Sequence, residues 1–580
     1  MKTSNSRARL AVSAVVSAGL CLTGAAAFTA PSQASPAPCD TAFPVGSLVA
    51  GQEVHGLTVT SGNDPSSGAF DGSIIGVLKD GIEPGVDMVM ADLDSPEIEK
   101  AGIWEGMSGS PVYDNTTGDL IGAVSYTLAW GSTTVAGITP WAQMQTYAGQ
   151  EAPSTVKVPT SAARAIARAT DVTAAQAAKG YTEVATPRVV AGLSQRALDR
   201  AAAAKHGKAW LPKAVAAAGQ TTSDDVTADD IVPGGNLSAT LSTGDITQAG
   251  IGTVTAVCNG RVVGFGHPMN FTGKAQLGLA GADTLYVQAD PLGSSFKVAN
   301  ISDLVGTIDQ DRTLGISGSL GVIPPSVPIT STVSYTPDNG TERHRTGTSH
   351  VQEADQMAAT AYYELNANHQ TVLDALQPGS EDQTWEVTGH SVDGPFTFDG
   401  GNLYTSDLDV ADRSSWDLPD LLWLLTNVQG VSIDSVDVSS TVTDNTSTLH
   451  IDGMQQQRGG AWKGVDKHHP VLAKAGHKVV VRLTFADGSK GAAFKVAVPK
   501  RAAGTDVRLY AFPSEGYPFE QSMPSQLSGV AKLVDTMQRN DQAQIVLTAF
   551  GRRHSITRQT TSPAAGKVVS GRKTVPVRVS

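Results

Sequence analysis

Short runs of β-branched and aliphatic residues, each closed off by Gly, Asp or Asn, recur along most of this chain. Leu57-Thr58-Val59-Thr60, Ser73-Ile74-Ile75-Gly76-Val77-Leu78, Leu120-Ile121-Gly122-Ala123-Val124 and Lys478-Val479-Val480-Val481-Arg482-Leu483-Thr484-Phe485 are examples. Branched side chains pack well on a pleated surface, and Gly, Asp and Asn supply the turns between strands. With 60 Gly and 30 Pro among 580 residues, the pattern predicts a mainly β protein and argues against a bundle of long helices. Hydrophobic residues make up 40% and charged residues 17%. That is enough apolar material for several cores and excludes wholesale disorder. A formal net charge of −13, with no long basic run before the tail, excludes nucleic acid as the main partner.

The β pattern covers residues 40–150 and returns at 233–345. Between them, residues 151–232 are Ala-rich with Arg and Lys, which predicts a helical connection. In 346–385 a helix is expected, with Met357, Ala361, Leu365 and Val372 recurring at helical spacing. Residues 386–510 alternate again, with a short helix over Leu418–Thr426. The turn Ala486-Asp487-Gly488-Ser489 between two alternating runs is a hairpin signature, so a β-sandwich-like module is expected here. In 511–580 a helix over 525–538 and a mobile tail are expected. From Gly551 onward there are seven Lys or Arg and no acid, and such an end is ordinarily solvated. Contact with anionic cell-wall polymers is the functional alternative for it.

The N-terminus reads as a Sec-type signal peptide spanning residues 1–34. Lys2, Arg7 and Arg9 precede an apolar stretch from Leu10 to Ala27, and Ser32-Gln33-Ala34 suits cleavage. Secretion is the expectation; a retained anchor is the alternative, and the apolar run is short for one. Cys21 would leave with the signal. Cys39 and Cys258 then remain, and in an oxidising compartment two cysteines point to one disulfide, or else to two separate buried thiols.

Gly106-Met107-Ser108-Gly109-Ser110-Pro111 carries the chemical signal. A serine nucleophile needs a base, an unobstructed Oγ and backbone N–H groups facing the developing oxyanion. Flanking glycines serve the last two needs, and the expected donors are the amides of Gly106 and Ser108. The turn, the hairpin after it and the strand Val135-Ala136-Gly137-Ile138-Thr139-Pro140 resemble the trypsin-like serine peptidases. The run Gly102-Ile103-Trp104-Glu105-Gly106-Met107-Ser108-Gly109-Ser110-Pro111-Val112 is still more similar to the stage IV sporulation protein B family of serine peptidases. That resemblance covers residues 45–145 and a second stretch around His267. It implies a trypsin-like double β-barrel and cleavage of protein or peptide substrates, with no metal or cofactor.

His55 and His267 compete as the base. His55 lies 53 residues before Ser108. A trypsin-like chain separates the two by roughly 140 residues, each on its own barrel, so His55 reads as a strand or surface histidine. His267, in Gly264-Phe265-Gly266-His267-Pro268, ends a predicted hairpin and resembles the Leu-Gly-His segment of the sporulation family. Here the serine half precedes the histidine half, which implies two half-barrels in swapped order. The orienting acid stays open. Asp311 follows His267 by 44 residues, close to the roughly 45 of the trypsin-like pattern. Asp94 and its neighbour Asp92 lie where the sporulation family places an aspartate, and a dyad without an acid is chemically workable.

Two functions remain in view. One is a secreted serine endopeptidase working through an acyl-enzyme on Ser108. The other is an inactive, peptidase-like binding or scaffold protein of the cell envelope. His468, His469 and His477 read as a solvated loop rather than a metal site. Substrate preference and oligomeric state are not legible.

Overall fold

The structure is a computed structural model that describes residues 39–580 apart from 130, 146–154, 157, 185, 204–207, 213–214, 222–225, 259, 291–293, 339, 515–522 and 552–554. The signal-peptide segment and Cys21 lie outside the described residues.

The chain is mainly β, with a closed six-stranded antiparallel barrel. Its strands are β1 (Glu53–Gly56), β2 (Phe70–Glu83), β3 (Val86–Asp94), β4 (Pro111–Asp114), β5 (Leu120–Leu128) and β6 (Val135–Pro140). The pairing runs β4-β1-β2-β3-β6-β5, and β5 closes back onto β4. β5 and β6 are buried along almost their whole length, which explains why they read as continuous apolar runs rather than alternating ones. Val89, Leu93, Trp104, Met107, Val112, Val124 and Ile138 fill one core. Each such side chain removed from water contributes roughly 1.5–3 kcal/mol. The short helix Pro96–Ala101 then feeds the chain into the serine turn. Pro96 opens it, and the Ser95 hydroxyl caps it by accepting from Ile98 N at 3.2 Å.

After a short strand β7 (Tyr181–Glu183), which pairs with β5, the β pattern resumes. It comprises β8 (Asn236–Gly244), β9 (Thr247–Cys258), β10 (Arg261–Gly264), β11 (Gly273–Gln288), β12 (Phe296–Arg312) and β13 (Gly315–Leu320). β8 pairs with β9, β9 with β10, β10 with β13, β13 with β12, β12 with β11, and β11 again with β8. Tyr126 and Leu128 of the first barrel share one hydrophobic cluster with Ala256, Cys258, Val263 and Leu314. The disulfide Cys39–Cys258 ties the same two regions covalently.

Three sequence expectations need correction. The segment 151–232 does contain helices, Thr160–Ala169 and Gln195–Ala203 among them, but it also carries β7 and the strand Arg188–Ala191. Both strands are short enough for the Ala-rich composition to mask them. Secondly, the sandwich-like module is not 386–510. Gly379–Ser391, Gly394–Ser406 and Ser432–Thr443 extend the sheet that contains β8, joined through the parallel pair Val327–Thr336 and Ser432–Thr443. The buried helices Met357–Leu373 and Asp417–Thr426 pack beside them. Two five-stranded sheets formed after residue 448 share one core, from Leu449 to Val577. The expected hairpin is present there, with Lys478–Phe485 paired to Phe494–Ala497. Thirdly, the basic tail is not a loose end. Ser555–Thr561 and Lys573–Val579 are sheet strands, because Val575 and Val577 enter the core while Lys573 and Arg578 stay outside it.

Candidate active site

The serine turn and the histidine turn meet. Ser108 Oγ lies 2.9 Å from His267 Nε2 across 159 residues of sequence. The other ring nitrogen, Nδ1, lies 2.7 Å from the carbonyl oxygen of Pro268. An N–H on Nδ1 donating to that carbonyl leaves Nε2 with its lone pair toward the serine hydroxyl, the tautomer a general base requires.

The Ser108 turn is built from backbone bends that only glycine adopts easily. Gly106 and Gly109 both have φ of +96°. A Cβ on Gly109 would sit 2.0 Å from the Thr253 carbonyl oxygen, and one on Gly106 would sit 3.0 Å from Lys297 Cβ. Ser110 Oγ donates to Met107 O at 2.7 Å, and Gly109 N donates to Val124 O at 2.8 Å. β9 clamps the turn from the other side. Thr253 Oγ1 donates to Gly106 O, Thr255 Oγ1 donates to Gly109 O, and Thr253 N donates to Ser108 O. The amides of Gly106 and Ser108 have no hydrogen-bond acceptor among the described residues. They are the expected oxyanion donors.

The His267 turn is equally fixed. Phe265 has φ of +68°, a left-handed conformation costing a non-glycine residue roughly 1–2 kcal/mol. Its ring is fully buried, and Thr139 Oγ1 of β6 donates to Gly266 O at 2.7 Å. Asp311 is fully buried and does not bond the imidazole. Its carboxylate accepts from Met269 N at 2.8 Å and Asn270 N at 2.7 Å. The 44-residue spacing therefore located a carboxylate at the site, but one that secures the backbone after His267. Burial pulls the His267 pKa below its ordinary value, against the Pro268 carbonyl, the Asp311 charge and the Val184 backbone. The imidazole is thus neutral at pH 7 and can accept a proton.

Other candidates fall elsewhere. Asp92 accepts from Thr134 Oγ1, Asp94 is exposed, and neither bonds His267. His55, on β1, stacks on Tyr113 and meets Asn115 Oδ1 at 2.6 Å, the strand role its spacing suggested. Among the described residues no group of three or more His, Cys, Asp or Glu is placed to hold a metal ion.

Two neighbours of the pair were missed in the sequence. Val184 supplies a carbonyl oxygen 3.1 Å from Ser108 Oγ, a second acceptor within reach of the one hydroxyl proton. A main-chain atom leaves no compositional trace. Lys297, beside Gly106, is 1% exposed, and its Nζ donates to Asn236 Oδ1 at 2.8 Å. Burial pushes its pKa down to about 7. A lysine between Phe296 and Val298 at the start of a strand was the available signal. Ser108 and His267 are themselves 0% and 2% exposed, so the pair is covered.

No protein-family model, curated protein or solved structure matches this chain.

Proposed function

We propose that this chain is a serine endopeptidase with Ser108 as nucleophile and His267 as general base. The observation that carries it is the 2.9 Å approach of Ser108 Oγ to His267 Nε2, since proton transfer needs hydrogen-bond reach. Ser108 attacks a peptide carbonyl while Nε2 takes its proton. The amides of Gly106 and Ser108 receive the oxyanion, and His267 then protonates the leaving amine. Water hydrolyses the acyl-enzyme by the reverse proton path. Asp311 acts as a positioning residue through the amides of Met269 and Asn270. No step calls on a metal or cofactor.

In this reading the two strand circuits are the half-barrels of a trypsin-like peptidase in swapped chain order. The resemblance to the stage IV sporulation protein B family supplies the class, secreted processing of protein substrates. The disulfide Cys39–Cys258 suits an oxidising compartment.

The burial of Ser108 beneath Val184 favours the rival, an inactive binding or scaffold protein of the envelope. A fluorophosphonate probe separates the two. The enzyme labels, and labelling is lost in Ser108→Ala and in His267→Ala. Disulfide-bonded, folded wild type that neither labels nor hydrolyses peptides is the scaffold.

A further inference from the structure

β7 is a strand the serine barrel does not need for closure. β5 already pairs with β4 over residues 120–123 and with β6 over residues 122–127. β7 is laid along the last residues of β5, Tyr181 opposite Leu128, Thr182 opposite Thr127 and Glu183 opposite Tyr126. Val184 N continues the ladder by donating to Ser125 O at 2.9 Å. The far edge of β7 pairs with the two-residue strand Thr155–Val156. Two side chains anchor it. Tyr181 is 0% exposed and packs in the cluster of Tyr126 and Leu128, and Val184 is 1% exposed in the cluster of Trp104 and Met107.

The ladder ends on the nucleophile. The Val184 carbonyl oxygen lies 3.1 Å from Ser108 Oγ, and His267 Nε2 lies 2.9 Å from the same atom. A serine hydroxyl has one proton, so a bond given to Val184 is withheld from the base. The carbonyl also occupies ground that a substrate must enter, because an attacked carbon has to come within about 3–3.5 Å of Oγ. The rest of the site is complete. Pro268 sets the imidazole tautomer, and the amides of Gly106 and Ser108 have no acceptor among the described residues. What the site lacks is access, since both members of the pair are buried.

We infer that residues 181–184 form an autoinhibitory strap: they hold the edge of β5 that an extended peptide substrate would take, and the enzyme works only when the strap lifts. This rests on the serine-peptidase reading above. Extended peptides bind by adding a strand to an exposed sheet edge, and β5 offers such an edge beside Ser108 once β7 has left it. A short ladder with two anchoring side chains, outside the closed circuit of the barrel, is a segment that can open locally while the barrel stays folded. Strap and substrate compete for one edge, so the observed rate scales with the fraction of chains that are open.

The test opens the strap in one variant and locks it in another. Thr182→Pro removes the backbone N–H at the middle of the strap and leaves both anchoring side chains in place. Thr127→Cys combined with Thr182→Cys does the reverse. Directly opposed residues of an antiparallel pair lie about 4.5–5.5 Å apart at Cα, within the span of a disulfide, so the oxidised double variant is stapled shut. Thiol counts and peptide mapping confirm the pairing, and Ser108→Ala is the blank. The readouts are the rates of fluorophosphonate labelling and of fluorogenic peptide hydrolysis. Wild type should label slowly, Thr182→Pro about 10–100-fold faster, and the stapled chain not at all. A folded Thr182→Pro that reacts at the wild-type rate, or a stapled chain that does so, overturns the strap and leaves the peptidase standing. If Thr182→Pro fails to fold, the stapled chain decides alone. Folded wild type and variants of which none labels or hydrolyses peptide remove both.

Discussion

Lys297 gives the sharpest stability test. It is almost completely buried, and among the described residues its ammonium meets one acceptor, Asn236 Oδ1. Burial lowers its pKa from 10.5 to about 7. Between those values the unfolded chain carries a proton on Lys297 that the folded chain does not, so stability rises with pH across that window. At 1.36 kcal/mol per unit, the full effect is on the order of 5 kcal/mol. About 2 kcal/mol of it falls between pH 7 and 9. Lys297→Met keeps the packing against Gly106 and removes the titrating group. Asn236 Oδ1 keeps the Thr284 hydroxyl, 3.3 Å away. Urea unfolding of both proteins at pH 7, 8 and 9 should show wild type gaining about 2 kcal/mol relative to the variant as pH rises. Other titrating groups cancel in that difference, and the window stops short of tyrosine ionisation. Parallel pH dependences would refute a neutral, desolvated lysine at this place.

Three further outcomes follow from the site. Asp311→Asn removes a charged acceptor from two amides rather than from the imidazole. In the peptidase reading, kcat/KM on a fluorogenic peptide amide should therefore fall by about 10–100-fold, the worth of a charge-assisted hydrogen bond, and not by the roughly 10⁴ seen when an imidazole-bonded aspartate is changed. In the peptidase reading the neutral ring is the base, and because burial lowers the His267 pKa the acid limb of kcat/KM should lie below 6.5; a limb at or above it would contradict the buried, neutral imidazole. Gly109→Ala places a Cβ 2.0 Å from Thr253 O at φ of +96°. It should abolish folding of the barrel junction, read as loss of soluble, protease-resistant protein.

The β character and the first barrel were legible because turn chemistry punctuates them. β5 and β6 stand out as apolar runs, and the Gly-rich turns between strands sit where the chain must reverse. Legibility failed where strands are short or share a composition with helices. β7 is three residues long inside an Ala-rich segment, and its reason for being a strand is tertiary, the open edge of β5. The basic tail misled for a related reason. Charge counts report the outer face of Lys573–Val579, whereas its place in the sheet depends on Val575 and Val577 pointing inward.

At the site, Ser108 and His267 could be read because their chemistry needs particular side chains in glycine-cleared turns. What surrounds them is mostly main chain. Thr253 and Thr255 clamp the serine turn through the Gly106 and Gly109 carbonyls, Pro268 fixes the tautomer through its carbonyl, and Val184 covers the pair with another. Backbone partners can be supplied by nearly any residue, so neither motif nor spacing reveals them. The same reasoning explains why chain order matters so little here. The two turns are joined by strand register and by a shared core, and both are indifferent to which half is synthesised first. The order matters for the connection. After β6 the chain comes back to the barrel as β7, the strand added to β5, before it reaches β8. That return sets the Val184 carbonyl oxygen 3.1 Å from Ser108 Oγ.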